Sequence, residues 1–244
     1  MKAFHNDAKI KEKYIKRVKE HYDADEIIQG KYWENGKGCA VGCTMEIGTY
    51  DSRSVHAEME KALVIPISLV YLEDRLFEGL RNDEAKMFPL RFLEAIKQGS
   101  DLSLISAKFI YWLLTEKEGV IKYASPDGKK AIQKVASLHK KMIDGEIVTA
   151  EEWLAARAAA SLLDWLSGGF AGAVASAAAR AGGEAAARSA AWSARAGEEA
   201  VRLSAISATA RSGASTAGEK ARCAAYSKMA NKLIELLKEE VTKN

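Results

Sequence analysis

Between Ala155 and Ala225 alanine dominates the chain, with glycine, serine and arginine between. Alanine has the highest intrinsic helix propensity. It also leaves so little side chain that packed helices approach backbone to backbone. This tract therefore commits the C-terminal part of the chain to closely packed helices. Its glycines, beginning with Gly168-Gly169, predict two or three tightly joined helices rather than one rod. A weak repeat runs through it: Ala181-Gly182-Gly183-Glu184-Ala185 is echoed by Ala196-Gly197-Glu198-Glu199-Ala200 and Ala217-Gly218-Glu219-Lys220-Ala221. An arginine follows each copy, but the spacing is too irregular for a solenoid.

The rest of the chain also reads as helical, and it holds only three prolines. Ile10, Tyr14, Ile15, Val18 and Tyr22 fall on one stripe, predicting a helix over 6–22 with Asn6 as N-cap. Helices are expected over 54–63, over 67–80 behind Pro66, and over 83–97 with a bend at Pro89. Asp101 would cap 102–114, and Pro126 would open 127–143. Thr149-Ala150-Glu151-Glu152 has the capping-box pattern and starts a helix over 150–166. A last amphipathic helix is expected over 226–241. The fold class is predominantly α. A multi-helix domain with a Gly/Cys-rich loop spans 1–148, and an Ala-rich helical bundle spans 149–244, packed on the first or used for self-association.

A chain of 244 residues can bury a substantial core. A net charge of +3 is too small to call for a nucleic-acid polymer. Lysines from Lys9 to Lys19 interrupt any apolar run that would make a signal peptide. No segment offers the roughly 20 apolar residues of a spanning helix, so no membrane partner is expected. Three cysteines make no disulfide framework, and a reducing cytosol is the expected compartment.

One stretch escapes the helical period: Asn35-Gly36-Lys37-Gly38-Cys39-Ala40-Val41-Gly42-Cys43-Thr44. Clustered glycines mark a sharp backbone bend or a close approach. It reads as loop, with a short strand around Ala40 to Cys43. Cys39, Cys43 and His56, with Glu58 or Glu60, have donor types that zinc accepts, though without the tight second ligand pair of a finger. Alternatively Cys39 or Cys43 is a nucleophile, with His56 as base and Glu60 orienting the imidazole. A third reading is an anion cradle, in which Gly36, Gly38 and Gly42 expose N–H groups and Lys37 adds a positive charge. Against all three stands a packed turn with buried cysteines. Glu73-Asp74 and Glu78 read as the solvated edge of a leucine-bearing helix, and His5, His21 and His139 as lone surface histidines.

Arg188, Arg195 and Arg202 recur every seven residues, and Trp192 lies at helical spacing from the first two. Such a row is an anion-binding wall or a solvated helix face. The ligand-binding set expected from the sequence is Lys37, Gly38, Cys39, Cys43, His56, Arg188, Trp192, Arg195 and Arg202. No residue is assigned as catalytic, and no metal or cofactor is assigned.

Several pieces together carry a resemblance. They are Gly38-Cys39-Ala40-Val41-Gly42-Cys43-Thr44, His56 before Glu60, Leu63, Ile65 and Pro66, Leu72-Glu73-Asp74, and Phe77-Glu78-Gly79-Leu80. Phe88-Pro89, Phe92-Leu93, Ala95-Ile96, Gly99, Asp101-Leu102-Ser103, Trp112-Leu113-Leu114 and Met229-Ala230-Asn231-Lys232-Leu233 follow. The pattern resembles a group of bacterial and phage proteins, some labelled immunity proteins. The resemblance implies a role in conflict between phage, bacteria or competing strains, and implies no reaction. The function expected is non-enzymatic sequestration of a small anionic, nucleotide-like signal by a homo-oligomer. The alternatives are an immunity-type protein that blocks a protein toxin, and a Cys/His-dependent hydrolase or transferase.

Overall fold

The computed structural model describes residues 2–47, 52–167, 170–186, 199, 200, 203 and 215–240, and the described chain is predominantly α-helical. Contacts divide it into two compact units, Met1–Ile105 with Tyr226–Asn244, and Ser106–Ala225. The connection at residue 148 lies inside the second unit. No described helix is long and apolar enough to cross a membrane.

The first unit begins with α1 (Ala8–Asp23). Its N-cap is Asp7 rather than Asn6: the Asp7 carboxylate accepts the Lys9 N–H at 2.8 Å. Asn6 belongs to the preceding 3₁₀ turn and has a left-handed φ of 58°. A two-stranded hairpin follows, β1 (Trp33–Glu34) and β2 (Lys37–Gly38). Asn35 and Gly36 turn it with φ of 52° and 80°. Positive φ at both central residues is what Asn-Gly hairpin turns supply.

The strand expected around Ala40 to Cys43 is instead a short helix, α2 (Ala40–Met45). Every residue of α2 is buried, so no alternation of apolar and polar residues distinguishes helix from strand here. Then come α3 (Ser52–Leu63), α4 (Ile67–Gly79) and α5 (Asn82–Ala95), the last with Pro89 inside it. Leu69, Leu72, Leu76 and Leu80 are all buried, as their spacing predicts. From Tyr226 on, the C-terminal helix α10 (Ser215–Glu239, numbered among the described helices) belongs to this unit. It buries Met229, Leu233, Ile234 and Leu237. Ser227 Oγ donates to Glu84 at 2.7 Å and Arg91 to Asn231 at 2.7 Å, fixing this helix on α5.

Helix α6 (Ile105–Thr115) starts later than Asp101 suggests, because the Asp101 carboxylate caps only a local turn at Ser103. In the second unit α7 (Pro126–Ile143), α8 (Ala150–Ser167) and α9 (Phe170–Ala186) pack together. Thr149 and Glu152 form the expected reciprocal capping box, at 2.9 and 3.2 Å. Ala156, Ala160, Ala175, Ala178 and Ala179 are buried in one core with Trp153. A Cβ at Gly182 would lie 2.2 Å from the Trp153 ring, so glycine makes room for the indole. His139 is buried here, not on the surface. It lies opposite α9, with Nε2 3.0 Å from the Ala178 carbonyl.

Candidate functional site

The site is assembled in the first unit by the hairpin, α2, α3 and α4. Short backbone bonds hold its loop: Ile28 N–H to Gly38 O at 2.8 Å, Gly38 N–H to Glu26 O at 3.1 Å and Cys39 N–H to Lys31 O at 2.7 Å. The Tyr32 carbonyl presses against Gly38 and Gly42. A Cβ would stand 2.1 Å from it at Gly38 and 1.4 Å at Gly42. The two glycines thus serve close packing, and the Gly38 N–H expected for an anion is already occupied. Lys37 is exposed at the hairpin end.

The far end of α2 is clamped from α1. Arg17 donates to Thr44 O at 2.9 Å, and its Nε lies 3.1 Å from Glu46. His21, also buried rather than solvent-facing, sets Nδ1 2.6 Å from Glu26 and Nε2 3.1 Å from Glu46. Burial and these ties fix the orientation of both cysteines. Cys43 donates to the Gly38 carbonyl at 3.2 Å, and burial pushes its thiol up to about 12. Cys39 points to a different neighbourhood, where its Sγ lies within 4.8 Å of carboxylate oxygens of Asp74 and Glu78, which are likewise within that distance of each other.

Tyr71, Asp74 and Glu78 are spaced i, i+3 and i+7 on α4, which places them along one stripe. His56, from α3, stacks on Tyr71 with ring centroids 4.1 Å apart and sets Nε2 3.0 Å from Asp74 Oδ2. Tyr32 donates its hydroxyl to the same oxygen at 3.1 Å, and its ring meets His56 edge-on. Since a carboxylate only accepts, His56 carries its proton on Nε2. Glu78 receives the Gly30 N–H on its two oxygens at 3.0 and 3.1 Å.

The solvated edge expected of these carboxylates is corrected in part: Glu73 is buried and Asp74 half-buried, while the Glu78 carboxylate faces solvent. Burial first, then Asp74 and Glu78, hold the Glu73 carboxyl well above its ordinary range. Burial also raises Glu78, against the Gly30 N–H. Burial and the Asp74 charge drive the Cys39 thiol far up. A protonated thiol is a poor nucleophile. Among the described residues no hydrogen bond joins His56 to either cysteine: His56 Nε2 serves Asp74, and the Cys43 thiol serves a carbonyl. Glu60 does not orient His56 but accepts the Ile67 N–H at 2.9 Å, capping α4, and Glu58 is exposed. Arg188, Trp192, Arg195 and Arg202 lie outside the described residues.

Three buried polar atoms in this neighbourhood have no hydrogen-bond partner among the described residues: His56 Nδ1, Tyr71 Oη and Glu73 Oε2. Each such atom costs about 1–3 kcal/mol. The chain matches no protein-family model, and no curated protein or solved structure shows significant similarity to it.

Proposed function

We propose that the chain is a non-enzymatic binding protein of a bacterial–phage conflict, with its ligand centre at Cys39, His56, Asp74 and Glu78. The observation that carries this reading is the gathering of unpartnered buried groups, His56 Nδ1, Tyr71 Oη and Glu73 Oε2, near a half-buried Asp74 and a solvent-facing Glu78 carboxylate. Three of the five such atoms among the described residues lie in this neighbourhood, the other two being His139 Nδ1 and Trp153 Nε1 in the second unit, and a bound ligand would account for the three.

The charge of the centre sharpens what it meets first. Asp74 and Glu78 disfavour a bare anion beside Gly38 and Cys39 and favour a cation. Sequestration of an anionic, nucleotide-like signal then calls on a cation at this centre or on the arginines of the alanine-rich tract. A thermal-shift panel of divalent cations, cyclic dinucleotides and ADP-ribose derivatives tests the reading. Wild type should gain several degrees with at least one ligand class at saturation, and an Asp74→Ala variant should not. A panel in which nothing stabilises wild type, or in which both proteins respond alike, removes the reading.

A further inference from the structure

We infer that Cys39, Asp74 and Glu78 form a three-ligand site for a borderline-soft divalent ion of the zinc type, an inference that rests on the binding centre proposed above. Three donor atoms from three separate positions lie within 4.8 Å of one another. Ligand atoms around a tetrahedral zinc are about 3.3–3.8 Å apart, as bond lengths of about 2.0–2.3 Å require. A contraction of about 1 Å closes the set.

The surroundings of the donors fit a metal centre in two further ways. His56 Nε2 and Tyr32 Oη both bond Oδ2 of Asp74, which fixes the carboxylate and leaves Oδ1 to an ion. Metal-ligating carboxylates are held in this way by a second layer of hydrogen bonds. Independently, the Glu73 carboxyl next to Asp74 in the chain is buried with Oε2 unpartnered, and the His56 ring that holds Asp74 is buried with Nδ1 unpartnered.

The donor set also selects the ion. Binding the ion displaces the Cys39 thiol proton to solvent, and one thiolate with two carboxylates suits zinc, cobalt or iron(II), whereas magnesium and calcium prefer oxygen alone. Three protein ligands leave a fourth position for water or for a ligand anion, the arrangement of open zinc sites. A phosphate or carboxylate of a captured molecule would occupy that position.

The test is titration of the reduced full-length chain with cobalt(II), followed by absorption and calorimetry. The expected result is one ion per chain with sulfur-to-cobalt charge transfer. That band should vanish in Cys39→Ser and persist in Cys43→Ser and Cys223→Ser. Should Cys39→Ser fail to fold, Asp74→Asn and Glu78→Gln serve instead, each weakening affinity at least about tenfold. Absence of stoichiometric binding overturns the inference, as does a band that survives Cys39→Ser or affinity untouched by both carboxamide variants. A nucleotide that stabilises the chain in the presence of a chelator, without any cobalt binding, overturns the metal site while leaving the binding reading intact.

Discussion

His56 holds Asp74: the imidazole Nε2 lies 3.0 Å from Oδ2, while the same ring stacks on Tyr71 one turn earlier on α4. One helix thus supplies both the carboxylate and the aromatic face that together orient a histidine from its neighbour. The bond is largely shielded from water, since the His56 side chain is 1% exposed and that of Asp74 15%. Asp74→Ala would leave both ring nitrogens of a buried histidine without partners, a loss of about 2 kcal/mol. Asp74→Asn keeps an acceptor for His56 and should lose less than half as much. Urea unfolding of the two variants beside wild type measures the difference.

Gly42→Ala should prevent folding of the first unit, because the new Cβ would stand 1.4 Å from the Tyr32 carbonyl carried by the hairpin. Gly36→Ala meets no atom within 4 Å and suffers only from its φ of 80°, a cost of about 1 kcal/mol. Soluble yield and circular dichroism separate these outcomes. Two glycines six residues apart in one motif thereby differ in kind.

The helical architecture was legible because apolar residues recur at 3.6-residue spacing along α1, α4 and α7, and because Thr149 and Glu152 carry a cap signal that is purely local. The site was legible only in part. Cys39 and His56 stood out by residue type, whereas the Asn35-Gly36 hairpin turn reads only as loop. Asp74 and Glu78 did not stand out, since a carboxylate beside Arg75 in sequence looks solvated until α3 and the hairpin cover it. The stripe of Tyr71, Asp74 and Glu78 was the available signal. Tyr32 had none, because its role depends on a hairpin bringing it to a residue 42 positions away. The short helix α2 was equally hidden: complete burial removes the polar face from which helical period is read.

In the second unit, His139 should make stability depend on pH. Burial lowers its pKa from the ordinary 6.5 to about 4. Between those values the unfolded chain binds a proton that the folded chain refuses. The stability contributed by the neutral ring is therefore present above pH 6.5 and is lost as pH falls towards 4, by about 3 kcal/mol in all. His139→Gln keeps a donor for the Ala178 carbonyl and should flatten this dependence. Unfolding of both proteins at neutral and mildly acidic pH supplies the comparison.

Thr149→Ala removes the hydroxyl that accepts the Glu152 N–H at the start of α8. A loss of about 1 kcal/mol is expected. Glu152→Ala should cost a similar amount, since its carboxylate accepts the Thr149 N–H in return. The double variant should lose less than the sum, the coupling that a reciprocal cap requires, as a double-mutant cycle by urea unfolding would reveal.

The account stands on the idea that buried polar groups around Asp74 are retained for a ligand rather than for folding. Tyr71 tests it with one atom. Its hydroxyl is buried without a partner, and its ring already packs on His56. The decisive measurement is the unfolding free energy of Tyr71→Phe without added ligand. The account predicts a protein as stable as wild type or about 1 kcal/mol more stable. A loss of about 1 kcal/mol or more would contradict it, because the hydroxyl would then be part of what holds the fold together.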